Sequence, residues 1–226
     1  MPMKKSHIRG ALRAVKNRAL TWLFPNRCPY CMKVIMPDEY ACKVCKKKLP
    51  AKAYRIFAIG GVPCSAALPY LDEYAEAIKR FKFGERAYFA PSLAVVMVRA
   101  ARECYDVESF DFVTCVPMRR EDMRRRGFNQ SELLARELSR ATGVPYAEAL
   151  EKHKKNDPQH SLKRSEREKN VRGVFRLRDA ESVKGKKILL VDDIITTGNT
   201  LGECARILKR GGCQSVDCAV VCAVVV

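Results

Sequence analysis

Two adjacent aspartates mark the point where an apolar run meets a loop suited to anions. Asp192 and Asp193, the acid pair, end the run that begins at Ile188 in the sequence ILLVDDIITTGNTL. Backbone N–H groups at the start of a helix after such a loop can hold a phosphate. Two carboxylates beside a phosphate repel it unless another group lies between them. A ribose 5-phosphate is a suitable ligand, because its hydroxyls donate to the carboxylates while its phosphate enters the loop.

The loop after the acid pair supplies the donors that a phosphate needs. Threonine hydroxyls add to the backbone N–H groups, and a glycine lets the backbone approach closely. The predicted phosphate-binding residues are Thr196, Thr197, Gly198, Asn199 and Thr200. A divalent cation such as Mg²⁺ near the acid pair would further offset the charge.

Other protein classes that place acids after a strand fit this sequence less well. A P-loop nucleotide hydrolase needs the pattern G-x-x-x-x-G-K-[ST], which occurs nowhere in the 226 residues. A phospho-acceptor receiver domain does not follow its acids with Thr-Thr-Gly at a helix start. A capped turn with incidental acids is the remaining alternative, although two carboxylates at the end of a buried strand are costly without a function.

Four cysteines form a second cluster, with the spacing of metal ligands. Two C-x-x-C pairs lie within CPYCMKVIMPDEYACKVC, and the predicted ligands are Cys28, Cys31, Cys42 and Cys45. Each pair places two thiolates on one turn, and two such turns make a tetrahedral four-sulfur site that suits a structural Zn²⁺. Redox or core cysteines are the alternative. No strand precedes the first pair, however, and the segment is too short and polar to form its own core.

The elements that must position these residues follow from hydrophobic periodicity. KKILLVDD (186–193) is predicted to be a parallel strand buried on both faces, because its apolar residues are continuous. NTLGECARILKRGG (199–212) is predicted to be a helix, with Leu201, Ala205 and Leu208 on one face and two glycines at its end. In open α/β sheets, ligands bind at the carboxyl ends of the strands. The sequence therefore predicts an α/β fold with the acid pair at that edge of the sheet.

ILLVDDIITTGNTL resembles the phosphoribosyl-pyrophosphate (PRPP) binding motif of type I phosphoribosyltransferases. Three further stretches resemble the ComF family of competence proteins: VPMRREDMRRRGFNQSELLA (116–135), QHSLKRSEREKNVRGVF (159–175) and the four-cysteine segment. Together these stretches cover most of the chain. The resemblance implies a type I phosphoribosyltransferase-like parallel sheet flanked by helices, with a small N-terminal zinc-ribbon-like module.

The resemblance also assigns roles in a reaction. FDFVTCVP (110–117) is expected to be the first core strand, and Met118, Arg119 and Arg120 match the turn that holds pyrophosphate. In an enzyme of this class, a nucleophile displaces pyrophosphate from C1 of PRPP through an oxocarbenium-like state. The acid pair would be catalytic, since it holds the ribose and favours the developing positive charge, while the arginines and Mg²⁺ hold the leaving group.

Segment composition predicts how the chain is divided. The expected units are a basic amphipathic segment at 1–27, a zinc knuckle at 28–50 and a phosphoribosyltransferase-like domain at 51–226. Residues 68–104 are helical by period and would belong to a hood at roughly 60–105 that caps the site. The polar stretch at roughly 151–173 is long enough for a mobile loop that closes over the substrate.

Composition limits the partners. The formal net charge is +18, with 12 Lys or Arg against 2 acids in residues 1–50 and 10 against 4 in residues 151–178. This asymmetry favours a polyanionic partner or a phosphate-rich ligand over a merely solvated surface. No apolar run reaches the roughly 18 residues needed to cross a membrane, so no transmembrane segment is expected.

The N-terminus and the cysteine content predict the compartment. Ile8, Leu12, Val15 and Leu23 give a loose apolar stripe on a basic segment that lacks the clean apolar core of a secretory signal. A basic amphipathic helix is therefore predicted in preference to an Arg-rich targeting peptide. Eleven cysteines in a chain without such a signal fit a reducing environment, so the protein is predicted to be cytoplasmic.

Two classes of function remain open. The first is a ComF-like protein that binds PRPP or ribose 5-phosphate with Mg²⁺ and serves DNA uptake in natural transformation. Its partners would be single-stranded DNA and a competence DNA-uptake helicase. The second is an active phosphoribosyltransferase that acts on an unidentified nucleobase or amine acceptor. The family resemblance and the positive charge favour the first, and the intact acid pair and loop favour the second.

Overall fold

Five strands form the central sheet: β1 (Tyr54–Ala58), β2 (Val62–Pro69), β3 (Phe112–Cys115), β6 (Lys187–Ile195) and β7 (Ser215–Ala223). The computed structural model describes residues 25–83, 86–153 and 173–224. The strand order is β1-β2-β7-β6-β3, and every pairing except β1–β2 is parallel. A separate antiparallel pair joins β4 (Leu150–Lys152) to β5 (Phe175–Leu177).

Helices cover both faces of this sheet. In the described part of the chain they are α1 (Lys43–Lys48), α2 (Asp72–Phe83), α3 (Ala90–Cys104), α4 (Arg120–Arg126), α5 (Gln130–Thr142) and α6 (Asn199–Arg210). Helices α2, α3 and α5 share a buried cluster with Leu189 and Val191, whereas α6 packs with Ile188 and Leu190. This division follows from the pleat, because successive side chains of a strand point to opposite faces. None of the described helices is both long and apolar enough to span a bilayer.

The predicted α/β fold, its buried strand and the helix that follows are confirmed. Leu189 and Leu190 are fully buried, and Leu201 and Leu208 lie on the buried face of α6. The predicted end of the strand is wrong, since β6 continues through the acid pair to Ile195 and pairs with β7 along that length. The charges of the acid pair suggested that the strand ends there. Strand β7 nevertheless remains apolar and stays paired with β6 beyond these two residues.

The single helical stretch predicted for 68–104 is also wrong in detail. Strand β2 runs to Pro69 before α2 begins, and α3 begins separately at Ala90. Pro91 lies in the first turn of α3, where a missing backbone N–H breaks no helical hydrogen bond. The buried face of α3 packs against β2, β7 and α5, so this part of the expected hood covers the sheet itself.

The expected first core strand is β3, which is the third strand in the chain and lies at the edge of the five-stranded sheet. The predicted amphipathic segment 1–27 and the predicted mobile loop 151–173 lie almost wholly outside the described residues, which include only 25–27, 151–153 and 173 of them.

The cysteine module packs on α2. The Arg80 guanidinium on α2 donates to the carbonyl oxygens of Pro29 and Tyr30 at 3.2 and 3.1 Å. The Tyr74 hydroxyl, also on α2, donates to the carbonyl of Lys48 at 2.8 Å, and its ring meets that of Tyr30 edge-on at 5.7 Å. The module therefore shares one buried cluster with the α/β domain.

Candidate functional site

The acid pair lines one cavity of about 520 Å³ at the carboxyl ends of β3 and β6, together with Thr196 and Thr200 of the loop Thr196–Thr200, the threonine turn. The side chains that contribute charge or hydrogen-bonding groups are Tyr70, Lys82, Asp122, Arg126, Asn129, Gln130, Ser131, Lys152, Asp192, Asp193, Thr196 and Thr200. This is the edge of the sheet at which α/β proteins bind ligands.

Both acids reach the cavity because β3 is shorter than β6. The last residue of β3, Cys115, pairs with Val191, so β6 has an unpaired edge from Asp192 onward. The pleat sends Asp192 and Asp193 to opposite faces of the sheet. At that open edge the two carboxylates can still face the same space.

Asp192 is held by donors from two elements. The Ser131 hydroxyl on α5 donates to Asp192 Oδ1 at 2.6 Å, and the Asp193 backbone N–H donates to the same oxygen at 2.9 Å. Burial, and then the neighbouring charge of Asp193, raises the pKa of Asp192 to about 7 despite these donors. At neutral pH this carboxyl is therefore poised between its two protonation states.

Asp193 pairs with a lysine from α2. Its side chain is 6% exposed, and the Lys82 Nζ lies 3.1 Å from Asp193 Oδ2. Burial of Lys82 opposes its charged form, but the charges of Asp193 and Asp192 outweigh that penalty and raise the pKa of Lys82. The ammonium stays charged and offsets one of the two acids.

Three consecutive buried polar residues at the start of α5 organise the site. The Asn129 amide donates to the carbonyl of Val116 at 3.1 Å and its oxygen caps α5 by accepting from the Ser131 N–H. The Gln130 amide donates to the Lys82 carbonyl at 3.3 Å. Sequence reasoning found the helix but missed these roles, although a polar run before a helical apolar stripe is a signal that could have revealed the cap.

The threonine turn leads into the uncapped N-terminus of α6. Gly198 occupies the N-cap position with φ of 75°, and no side chain caps the helix. A Cβ at Gly198 would lie 2.9 Å from the Cα of Ala58, so packing against β1 requires glycine here as well as the positive φ. Thr197, Gly198 and Asn199 line a small recess that opens beside Asp192, Thr196 and Thr200. All five predicted loop residues therefore lie together, with free backbone N–H groups at the helix start.

The structure places the predicted pyrophosphate residues in three different positions. Met118 lines the main cavity. Arg119 does not line it and is paired with Asp122, from Nε to Oδ2 at 3.0 Å. Arg120 lines a neighbouring cavity of about 330 Å³ with Tyr146.

Two other cations face the main cavity, and sequence reasoning did not single them out as ligand-binding residues. Arg126 stacks its guanidinium over the Phe83 ring at 5.1 Å, and Lys152 lies at the end of β4. Neither makes an ion pair with any carboxylate in the described ranges 25–83, 86–153 and 173–224. Burial, and then the charge of Arg119, lowers the pKa of Lys152. Both cations remain available to an anionic ligand.

The four predicted zinc ligands converge. Their Sγ atoms all lie within 4.8 Å of one another, and Cys31 Sγ is 3.6 Å from Cys42 Sγ. Zn–S bonds of about 2.3 Å in a tetrahedron give S–S edges of about 3.8 Å, so the cluster fits zinc. Cys42 also caps α1, because its sulfur accepts a hydrogen bond from the backbone N–H of Cys45. This hydrogen bond lowers the pKa of Cys42 to about 7. This lower pKa favours the metal-binding thiolate at Cys42, whereas burial raises the pKa of Cys31 and of Cys45.

The acid pair fits a resident divalent cation less well. The cysteine cluster is the one group of three or more possible metal ligands in the part of the chain that the structure describes. At the cavity, a protein ammonium already contacts Asp193, and Asp192 Oδ1 already accepts two hydrogen bonds. Magnesium typically needs substrate phosphates in addition to one or two carboxylates.

Two family models match the chain. The phosphoribosyl transferase domain matches residues 123–224, which include α5, the acid pair and the threonine turn. The double zinc ribbon domain matches residues 19–70, which include all four cysteines of the cluster. The matched regions agree with the α/β domain and the cysteine module that the structure shows.

Curated relatives are similar over most of the chain. The DNA utilization protein YhgH of Escherichia coli strain K12 is 29% identical over 212 residues, covering 86% of this chain and 89% of the relative. Competence protein F of Haemophilus influenzae is 28% identical and covers 93% of each chain. Competence protein ComFC of Bacillus subtilis is 28% identical, covering 81% of this chain and 84% of the relative. Both halves of the architecture are matched in the same order, so the chain combines a zinc-ribbon module with a phosphoribosyltransferase-like domain and is similar over most of its length to the competence proteins F and ComFC.

Proposed function

We propose that the main cavity binds PRPP or ribose 5-phosphate. One observation supports this most strongly: the two acids line the same cavity as Thr196 and Thr200, beside an uncapped helix N-terminus. The ribose hydroxyls would donate to the acid pair, and the 5′-phosphate would accept from Thr196, Thr197, Thr200 and the N–H groups of α6.

Arg126 and Lys152 are the proposed partners of the pyrophosphate. Both face the cavity and neither is neutralised by a carboxylate among the described residues. This assignment replaces Arg119 in the expected scheme, because Asp122 already holds the Arg119 guanidinium. Magnesium would arrive with the pyrophosphate of PRPP, since the cavity lacks a ready set of oxygen ligands of its own.

A role in DNA uptake is the cellular function that we propose. Two relatives are named competence proteins and a third is named a DNA utilization protein. The net charge of +18 suits a polyanionic partner such as single-stranded DNA, with a DNA-uptake helicase as a further candidate partner, and a cytoplasmic location is part of the same proposal. In this scheme the ribose-phosphate cavity regulates or supports DNA handling.

Turnover of PRPP is the second candidate function. It is favoured by the arrangement of Asp192 and Asp193 at the place where a ribose would develop positive charge.

Calorimetry and a pyrophosphate assay test both candidates. Wild type should bind PRPP, and the Asp192→Asn/Asp193→Asn variant should bind it about tenfold or more weakly, because neutral amides accept ribose hydroxyls less strongly. Equal affinities would refute the site. Pyrophosphate release from PRPP with a panel of nucleobases and amines then separates an enzyme from a binding protein, because a binding protein releases none with any acceptor.

A further inference from the structure

The ammonium group of a lysine lies beside the acid pair. Lys82 Nζ lies 3.1 Å from Asp193 Oδ2, and only 24% of the lysine side chain is exposed. The surrounding packing fixes this position. The Gln130 amide holds the Lys82 carbonyl at 3.3 Å, and the Phe81 ring packs 5.8 Å from that of Phe128.

This cation occupies part of the space that a metal ion bound by the acid pair would need. A divalent ion at the acid pair would share Asp193 with an ammonium, and the two cations would repel each other at close range. Asp192 is also a poor metal ligand through its Oδ1, because that oxygen already accepts hydrogen bonds from the Ser131 hydroxyl and from the Asp193 N–H. The charge balance of the cavity lining is therefore set by side chains.

We propose that Lys82 is the built-in counter-ion of the acid pair and that it allows this cavity to bind ribose 5-phosphate without a divalent cation. The ammonium prevents the two carboxylates from repelling the incoming phosphate, and it leaves Asp192 and the free oxygen of Asp193 to accept the ribose hydroxyls. The choice of ligand rests on the proposed function, whereas the metal-excluding role of Lys82 does not. Lys82 is a positioning residue in this scheme and makes no bond to the reacting carbon.

A manganese titration of the ligand-free, zinc-loaded full chain tests the metal-excluding role directly. Wild type should show no Mn²⁺ site that depends on Asp193. Lys82→Met should gain one, because removal of the ammonium leaves two close carboxylates without a cation. Adding Asp193→Asn to Lys82→Met should abolish the gain. Lys79→Met is the matched control, since Lys79 lies one turn earlier on α2 and pairs with Glu76 at 2.8 Å outside the cavity.

Ribose 5-phosphate calorimetry tests the functional half, in buffers with and without Mg²⁺ and without chelators that would strip the zinc. Wild-type affinity should be the same in both buffers. Lys82→Met should bind about tenfold more weakly without Mg²⁺ and recover when it is added, whereas Lys82→Arg should behave as wild type. Thermal unfolding of each variant shows that it is folded.

Three results would overturn the proposal: an Asp193-dependent Mn²⁺ site already present in wild type, ribose 5-phosphate binding by wild type that requires Mg²⁺, or a Lys82→Met variant that matches wild type in both titrations. If no protein binds ribose 5-phosphate in either buffer, the proposed ligand is refuted, and the manganese titration alone decides the role of Lys82.

Discussion

At the scale of single residues, the two acids differ although they are neighbours with the same chemistry. Asp193 has a lysine partner at 3.1 Å, whereas Asp192 is buried beside a charge and its pKa rises to about 7. A carboxyl whose folded pKa exceeds its unfolded value of 3.8 stabilises the fold at low pH. That contribution is lost as the pH rises through the folded value. The fold is therefore more stable when Asp192 is protonated, whereas the proposed contact with the ribose hydroxyls uses its charged form. Ligand binding and stability oppose each other at this position.

The first prediction concerns the pH dependence of stability. Wild type should lose stability between about pH 4 and pH 7 through Asp192, and Asp192→Asn should flatten that slope. At pH 8 the Asn variant should melt at least about 2 °C higher than wild type, because it removes a buried charge. Thermal unfolding across pH 5 to 8.5 measures this.

Asp193→Asn is the matched control and should act in the opposite direction, because it leaves the Lys82 ammonium without its partner. If both Asn variants shift the melting temperature in the same direction, the two acids are not in the different environments described.

The second prediction concerns the pyrophosphate cations. Arg126→Gln and Lys152→Gln should each weaken PRPP binding by about tenfold or more and weaken ribose 5-phosphate binding much less, since each removes a charge-assisted contact to the pyrophosphate alone. Arg119→Gln is the control and should change PRPP affinity little, because Asp122 already engages that guanidinium. A larger loss of PRPP affinity in Arg119→Gln than in the other two variants would restore the arrangement expected from the sequence.

At the scale of elements, α2 links the cysteine module to the cavity. Tyr74 in the first turn and Arg80 in the last turn of this helix bond the module, and the last turn also presents Lys82 to the acid pair. The buried cluster is continuous from Cys28 and Tyr30 to Ile78 and Phe81. The metal site therefore supports an element that the cavity uses.

The third prediction follows from this linkage. Elemental analysis should find about one zinc per chain, the number that one four-sulfur cluster binds. Removal of zinc, or a Cys28→Ser/Cys42→Ser substitution, should speed amide hydrogen exchange in α2 as well as in the module, because both rest on the same packing. Exchange in α6, on the opposite face of the sheet, serves as the internal control. An effect confined to residues 28–48 would show that the module is independent of α2, and zinc retained by the double serine variant would refute the metal assignment.

At the scale of the whole molecule, charge separates the two proposed activities. The acid pair lines the main cavity, whereas exposed lysines such as Lys43 and Lys47 lie on α1 of the cysteine module. The formal net charge of +18 makes sequence-independent binding to a polyanion the expected behaviour of the surface.

The fourth prediction concerns single-stranded DNA. Fluorescence anisotropy with a short labelled oligonucleotide should show binding that weakens steeply with salt, since each neutralised phosphate releases counterions. Lys43→Glu/Lys47→Glu should weaken it and lower the salt slope by about 0.7 for each phosphate that is no longer neutralised. The Asp192→Asn/Asp193→Asn variant should bind DNA at least as well as wild type. Binding that is indifferent to salt would leave the basic charge as ordinary solvation.

Local patterns predicted much of the molecule, and long-range contacts account for the rest. The strand at Ile188, the helix face at Leu201 and the cysteine spacing were readable because each depends on neighbours in the sequence. The Lys82–Asp193 pair joins residues that are far apart in the chain, so no local pattern indicated it. Likewise, the continuation of β6 to Ile195 depended on pairing with β7, which is distant in the sequence.

A crystal structure of the full chain with ribose 5-phosphate, grown without Mg²⁺, tests the central claim most directly. The phosphate should lie against the backbone N–H groups at the start of α6 and the hydroxyls of Thr196, Thr197 and Thr200. The ribose hydroxyls should lie within about 3 Å of the Asp192 and Asp193 carboxylates, with Lys82 still on Asp193. A ligand seated in the neighbouring cavity beside Tyr146, or a ribose turned away from both acids, would contradict the proposed function.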